Sequence, residues 1–141
     1  MIRAVLDTNV VFEGLSRKGG ACGFIADAWH AGLLTACVSN ALAYEYHDVF
    51  SRKFSERRWN QLKPLLAELI TDHAEFVTVW FSWRPVSPDP ADDHVIDCAM
   101  NARAPVVTSN VRDFRIAERE LGLNVITPVT FLEHLVKRRC L

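Results

Sequence analysis

Met1-Ile2-Arg3-Ala4-Val5-Leu6-Asp7-Thr8-Asn9 opens the chain, and its reading decides the fold. The first six residues are mostly apolar and predict a short buried strand, which Asp7 closes at the point where it leaves the sheet. In an open α/β sheet, ligands bind at the carboxyl ends of the strands. By position alone, Asp7 is equally placed for chemistry and for capping the helix that follows.

Beyond this strand, short strand-like runs alternate with longer helical patterns, the signature of a mostly parallel sheet covered by helices. A short helix over Val10 to Ser16 precedes a Lys18-Gly19-Gly20 break, and a second helix runs from Ala21 to His30 with Gly32 as its stop. Leu33 to Val38 is the second strand. Ser39 can cap a helix running to about Ser51, which places Glu45 near the carboxyl edge. From Ser55 to Asp72, Trp59, Leu62, Leu65, Leu66, Leu69 and Ile70 recur at three- and four-residue spacing, a packing helix with Pro64 as a kink point.

Phe76 to Phe81 reads as the third strand, and the segment from Ser82 to Pro90, with three of the six prolines, as a loop. Asp89-Pro90-Ala91-Asp92-Asp93 leads into the helix that begins His94-Val95-Ile96-Asp97, its opening negative charge suited to the helix dipole. Pro105 to Thr108 and Asn124 to Ile126 read as the last strands, and Thr127-Pro128 starts the C-terminal helix.

The chain of 141 residues fits a single domain, residues 1–141, with one sizeable core. Half its residues are hydrophobic and 23% are charged, which excludes a disordered chain. No apolar run approaches the roughly 20 residues of a membrane helix, and the N-terminus lacks a signal-peptide pattern, so a cytoplasmic protein is expected. The four cysteines form no CxxC pair and the five histidines no HxxxH pair, so a disulfide framework and a zinc site both lack support.

A formal net charge of −1 argues against holding nucleic acid by bulk electrostatics. Basic clusters at Arg52-Lys53, Arg57-Arg58, Arg112 with Arg115 and Arg119, and Lys137-Arg138-Arg139 read as solvated helix faces. Trp80, Phe81 and Trp83 read as closing a core or an interface in preference to stacking on bases.

Four stretches taken together resemble the PIN domains, metal-dependent ribonucleases that include the virulence-associated protein C-type toxins of toxin–antitoxin pairs. They are Leu6-Asp7-Thr8-Asn9-Val10-Val11, Ser39 through Glu45, Asp89-Pro90-Ala91-Asp92-Asp93-His94, and Val107-Thr108-Ser109-Asn110 with Asp113-Phe114. The resemblance implies a Rossmann-like α/β fold with a central, mostly parallel sheet flanked by helices.

It further implies that Asp7, Glu45 and Asp93 are the first three acidic ligands. The family often has an Asp two residues after the Thr that ends the fourth strand, and here Asn110 stands there, with Asp113 three residues on. Asp113 is the alternative carboxylate for this fourth position, or a cap for the helix through Leu121. Thr8, Asn9, Thr108 and Ser109 match small polar positions that orient ligands or water. Asp97, one turn after Asp93, shares its face as an outer acid or a surface charge. Asp92 is then the cap of that helix.

An all-oxygen set of this kind suits Mg²⁺ or Mn²⁺. The expected activity is cleavage of single-stranded or loop RNA, and the resemblance adds an antitoxin partner and a homodimer. The alternative is a catalytically weak PIN-like module acting through protein binding, to which Asn110 and the near-neutral charge lend weight. A haloacid-dehalogenase-like phosphatase is disfavoured, because Asn9 stands where that family's second Asp is expected.

Overall fold

A computed structural model describes residues 2–82 and 90–140, with the backbone alone at 90, 91, 139 and 140. Ile2–Leu6 forms β1, Thr8–Ser16 α1, Gly20–His30 α2 and Leu34–Val38 β2. Asn40–Lys53 and Glu56–Asp72 follow as α3 and α4, then Ala74–Phe76 as β3 and Pro90–Ala102 as α5. Val106–Val107 is β4, a 3₁₀ turn spans Val111–Phe114, and Arg115–Leu121, Val125–Ile126 and Pro128–Cys140 are α6, β5 and α7.

The five strands make one parallel sheet in the order β3-β2-β1-β4-β5. The chain builds outward from β1 through β2 to β3, then crosses back to lay β4 on the other side of β1. Sheet order therefore reverses between β1 and β4, and the switch-point crevice opens beyond Leu6 and Val107, which are paired in register.

Local chemistry sets the helix ends. The hydroxyl oxygens of Ser39 and Ser55 accept hydrogen bonds from the amides of Leu42 (3.2 Å) and Arg58 (3.1 Å), capping α3 and α4. Gly122, at φ 71°, closes α6 in the left-handed conformation that glycine adopts without steric cost. A Cβ on Gly14 would fall 2.6 Å from the carbonyl oxygen of Cys22, so glycine is what lets α1 lie against α2.

The core is continuous across both faces of the sheet, with Trp29, Tyr46, Phe50, Phe114 and Phe131 fully buried. Trp29 satisfies its indole N–H on the carbonyl of His73 at 2.8 Å. Cys22, Cys37 and Cys98 are buried free thiols.

Several expectations are corrected. The third strand is Ala74–Phe76, earlier than Phe76 to Phe81. Val77 still donates to the carbonyl of Val38 at 2.9 Å, but the side chain of Asn101 then takes the amides of Trp80 and Phe81, so this backbone leaves the ladder. Trp80 is 78% exposed and Phe81 67% exposed, so neither closes a core; Trp83 lies outside the described residues. Asp92 is not the cap of α5, because the helix begins at Pro90 and Asp92 and Asp93 both lie inside its first turn. The Ser39-capped helix also continues to Lys53, two residues past the expected end, and α4 runs through Pro64 without a break.

Candidate metal and phosphate site at the switch point

Asp7 is the residue around which the site is built. It is 3% exposed, and its backbone occupies the N-cap position of α1, yet its carboxylate makes no capping bond. One carboxylate oxygen instead accepts a 2.7 Å hydrogen bond from the Thr108 hydroxyl at the end of β4. The Asp7 amide donates to the Val107 carbonyl at 3.0 Å, so main chain and side chain both join β1 to β4 at the crevice. Of the two readings open for Asp7, the capping one fails in this geometry.

Thr108 is completely buried, and its oxygen also accepts from the Asn110 amide at 3.0 Å. A single hydroxyl thus orients the Asp7 carboxylate and the start of the loop after β4. On the other side of Asp7, the Thr8 hydroxyl oxygen is buried with no hydrogen-bond partner among the described residues. A buried polar atom left in that condition is a place where a cation or a water fits.

Two helices bring further acids over the same strands. The α5 helix packs against α3, β1, β2 and β4 and carries Asp93 and Asp97, each 3% exposed and one turn apart on a common face. Asp97 is therefore a buried acid and not a surface charge. Glu45 is half-buried in the second turn of α3, next to Tyr46.

Tyr46 had no assigned role in the sequence, and the structure supplies one. Its ring is fully buried and its hydroxyl donates to the carbonyl of Leu6, the residue immediately before Asp7. Burial first, then the negative fields of Cys98, Asp7, Glu45 and Cys37, hold the phenol well above its ordinary pKa, so it remains a donor. The spacing of Leu42, Tyr46, Val49 and Phe50 forecasts the burial of this ring but not its hydrogen bond across to β1.

The loop after β4 is more open. Ser109 and Asn110 are exposed, as is Asn9 on α1, whereas Asp113 is half-buried within the 3₁₀ turn, its amide bonded to the Asn110 carbonyl at 3.0 Å. That turn packs against β5 and α6, and the N-cap of α6 is Phe114, which rules out Asp113 as its cap. Ser109 also borders a cleft of about 450 Å³ that includes Glu13, Arg17, Lys18 and Val129.

Asp7 and Thr108 are in direct contact, and Glu45, Asp93 and Asp97 sit on the two helices over that edge. Among the described residues, no three His, Cys, Asp or Glu side chains are grouped closely enough to hold one metal ion. In donor chemistry the edge fits a hard dication, since it offers carboxylate and hydroxyl oxygens.

Buried acids at the switch point of a parallel sheet define an α/β protein with acidic groups at the carboxyl edge of its sheet. Residues 3–112 match the family model described as PIN domain, and the chain belongs to the PIN domain family. Two solved structures share its fold. VapBC2 from Rickettsia felis, bound to a DNA fragment from its promoter, aligns with a TM-score of 0.64 at 16% identity, over 89% of this chain and 98% of that one. FitAB bound to the IR36 DNA fragment aligns with a TM-score of 0.60, also at 16% identity, over 89% of this chain and 94% of that one. No curated protein matches the chain.

Proposed function

We propose that this protein is a divalent-metal-dependent endoribonuclease that cuts single-stranded or loop RNA, and that it is the toxin of a toxin–antitoxin pair. The observation that carries the reading is Asp7, buried at the β1–β4 switch point and oriented by Thr108, with the buried acids of α5 packed over the same strands. Membership of the PIN domain family supports the nuclease class, and the fold shared with VapBC2 and FitAB supports the toxin assignment.

Asp7, Glu45, Asp93 and Asp113 are the ligands this reading assigns to Mg²⁺ or Mn²⁺, and they would have to draw together around the ion, because no three acids among the described residues are grouped that closely here. When bound, such an ion lowers the pKa of a water and offsets charge on the scissile phosphate. The chain's own contribution is positional. Thr108 holds the Asp7 carboxylate in one orientation, Tyr46 fixes the end of β1, and the exposed Ser109 and Asn110 border the entry to the edge. Arg17 and Lys18, lining the cleft that Ser109 also borders, give RNA phosphates two cations in a chain whose net charge is only −1. Unpaired RNA is the substrate because an accessible phosphate and splayed bases are what a protein reads in RNA.

The same proposal places the protein in the cytoplasm, as a homodimer that an antitoxin restrains. No helix among the described residues is long and apolar enough to cross a membrane. An apolar groove of about 520 Å³ between α2 and α7, bordered by the half-exposed Phe24 and Val136, supports protein contact.

Mn²⁺-dependent cleavage of a mixed-sequence single-stranded RNA tests the reading, with wild-type protein and Asp93→Asn purified in parallel. Metal-dependent cutting that disappears in Asp93→Asn is expected. A folded wild-type chain that neither cuts RNA nor binds Mn²⁺ by calorimetry would transfer the assignment to a PIN-like protein-binding module, the reading that Asn110 favours.

A further inference from the structure

At the amino edge of the sheet, opposite the acids, the starts of β1, β4 and β5 and the last turns of α7 enclose a pocket of about 340 Å³. Its floor is apolar and partly open: Ile2, Pro105 and Ile126 are all half-buried there. Its rim carries His134 and the cations Lys137 and Arg138 of α7, all exposed.

Lys137 and Arg138 are exposed, as the sequence suggested, and they also border this pocket. Residues 134, 137 and 138 stand at i, i+3 and i+4, so their side chains share one face of α7. None of the residues that line the pocket is Asp or Glu. Arg3 also borders it, but its guanidinium is already engaged by Glu75 and the carbonyl of Ala102. Lys137 and Arg138 are therefore the charges available to a ligand, and they stand over hydrocarbon. With a net charge of −1, overall attraction of anions does not account for such a site.

We propose that this pocket binds a small molecule with an apolar or aromatic body and one terminal anionic group, a phosphate or a carboxylate. The body lies on Ile2, Pro105 and Ile126, and the anion meets Lys137 and Arg138, where a guanidinium offers paired donors and the ammonium a point charge. The volume is within the range of small-ligand sites and too small for a folded partner. Because the pocket lies at the sheet edge opposite the acids, this is a binding site with no part in phosphodiester cleavage, and it does not depend on the nuclease reading.

The test is a titration of the full ¹⁵N-labelled chain with benzyl phosphate, 3-phenylpropanoate and uncharged benzyl alcohol, following the amide signals of Ile2, Asn124 and Ile126. Saturable shifts with at least one anion, and about tenfold weaker binding by benzyl alcohol, are expected. The better of the two anions identifies the phosphate or the carboxylate class. Lys137→Gln with Arg138→Gln, both on the exposed face of α7, should weaken the anion to the level of the alcohol while leaving thermal unfolding unchanged. No saturable shift with either anion, equal binding of the alcohol, or undiminished binding by the double variant would overturn the proposal.

Discussion

The hydroxyl of Tyr46 donates a hydrogen bond to the main-chain carbonyl of Leu6, tying the middle of α3 to the last residue of β1. Glu45 and Asp7 are the chain neighbours of these two residues, so this bond holds two proposed ligands in a fixed relation although they lie far apart in sequence. Tyr46→Phe keeps the packing of the ring and leaves a buried carbonyl unpaired, which costs on the order of 1–3 kcal/mol. Urea unfolding should show that loss together with weaker Mn²⁺ binding. An unchanged unfolding midpoint would mean that the bond contributes nothing to the fold.

Thr108 serves Asp7 more directly. Thr108→Val removes the 2.7 Å hydrogen bond while keeping the shape, and Thr108→Ser restores the hydroxyl. If orientation is its role, RNA cleavage falls by roughly 10- to 100-fold in the Val variant and returns in the Ser variant, the range typical of groups that orient metal ligands. Equal losses in both variants would point to packing.

The fourth acidic position is decided by Asn110 and Asp113 in parallel. With Asp113 as the carboxylate, Asp113→Asn abolishes Mn²⁺-dependent cleavage, whereas Asn110→Ala leaves most of it. The reverse pattern would put the polar contact at Asn110 and remove Asp113 from the site.

Burial pushes the thiols of Cys22 and Cys98 from 9.0 up to about 12. Glu13 adds to the rise at Cys22, and the charges of Cys37 and Asp97 add to it at Cys98, while hydrogen bonding with Ser39 opposes it there. A folded pKa above the unfolded one means that protonation favours the native state. The contribution is complete below pH 9 and is lost as pH rises from 9 towards 12. Denaturant unfolding across that window should show falling stability, with a shallower slope in Cys22→Ala/Cys98→Ala. An identical slope in the double variant would refute the linkage.

Much of the fold could be read from sequence because its signals are local. The apolar run of β1, the serine caps at Ser39 and Ser55, and the spacing of Trp59, Leu62, Leu66 and Leu69 on α4 each arise within a few residues, so the parallel α/β architecture and most helices followed. Where tertiary contacts overrode local pattern, the reading failed. Phe76 to Phe81 alternates like a strand, but Asn101, some 20 residues further on, captures its backbone and leaves Trp80 exposed.

The proposed site divides in the same way. The resemblance to PIN domains nominated Asp7, Glu45 and Asp93, which residue type and position alone did not single out as ligands. Asp7 as a capping residue or a site residue was undecidable from position, since both uses place an Asp at a strand end. In the fold, its carboxylate accepts the 2.7 Å bond from Thr108, 101 residues away, and makes no capping bond. Burial likewise separates Asp93 and Asp97 from the half-buried Asp92 of the same turns, because which face of α5 meets β1, β2 and α3 is fixed by packing. Sequence by itself determined the kinds of group available and their order along the strands. Only the tertiary structure decided which of them meet, because hydrogen bonds between β1, α3 and β4 join residues that have no local relation in the chain.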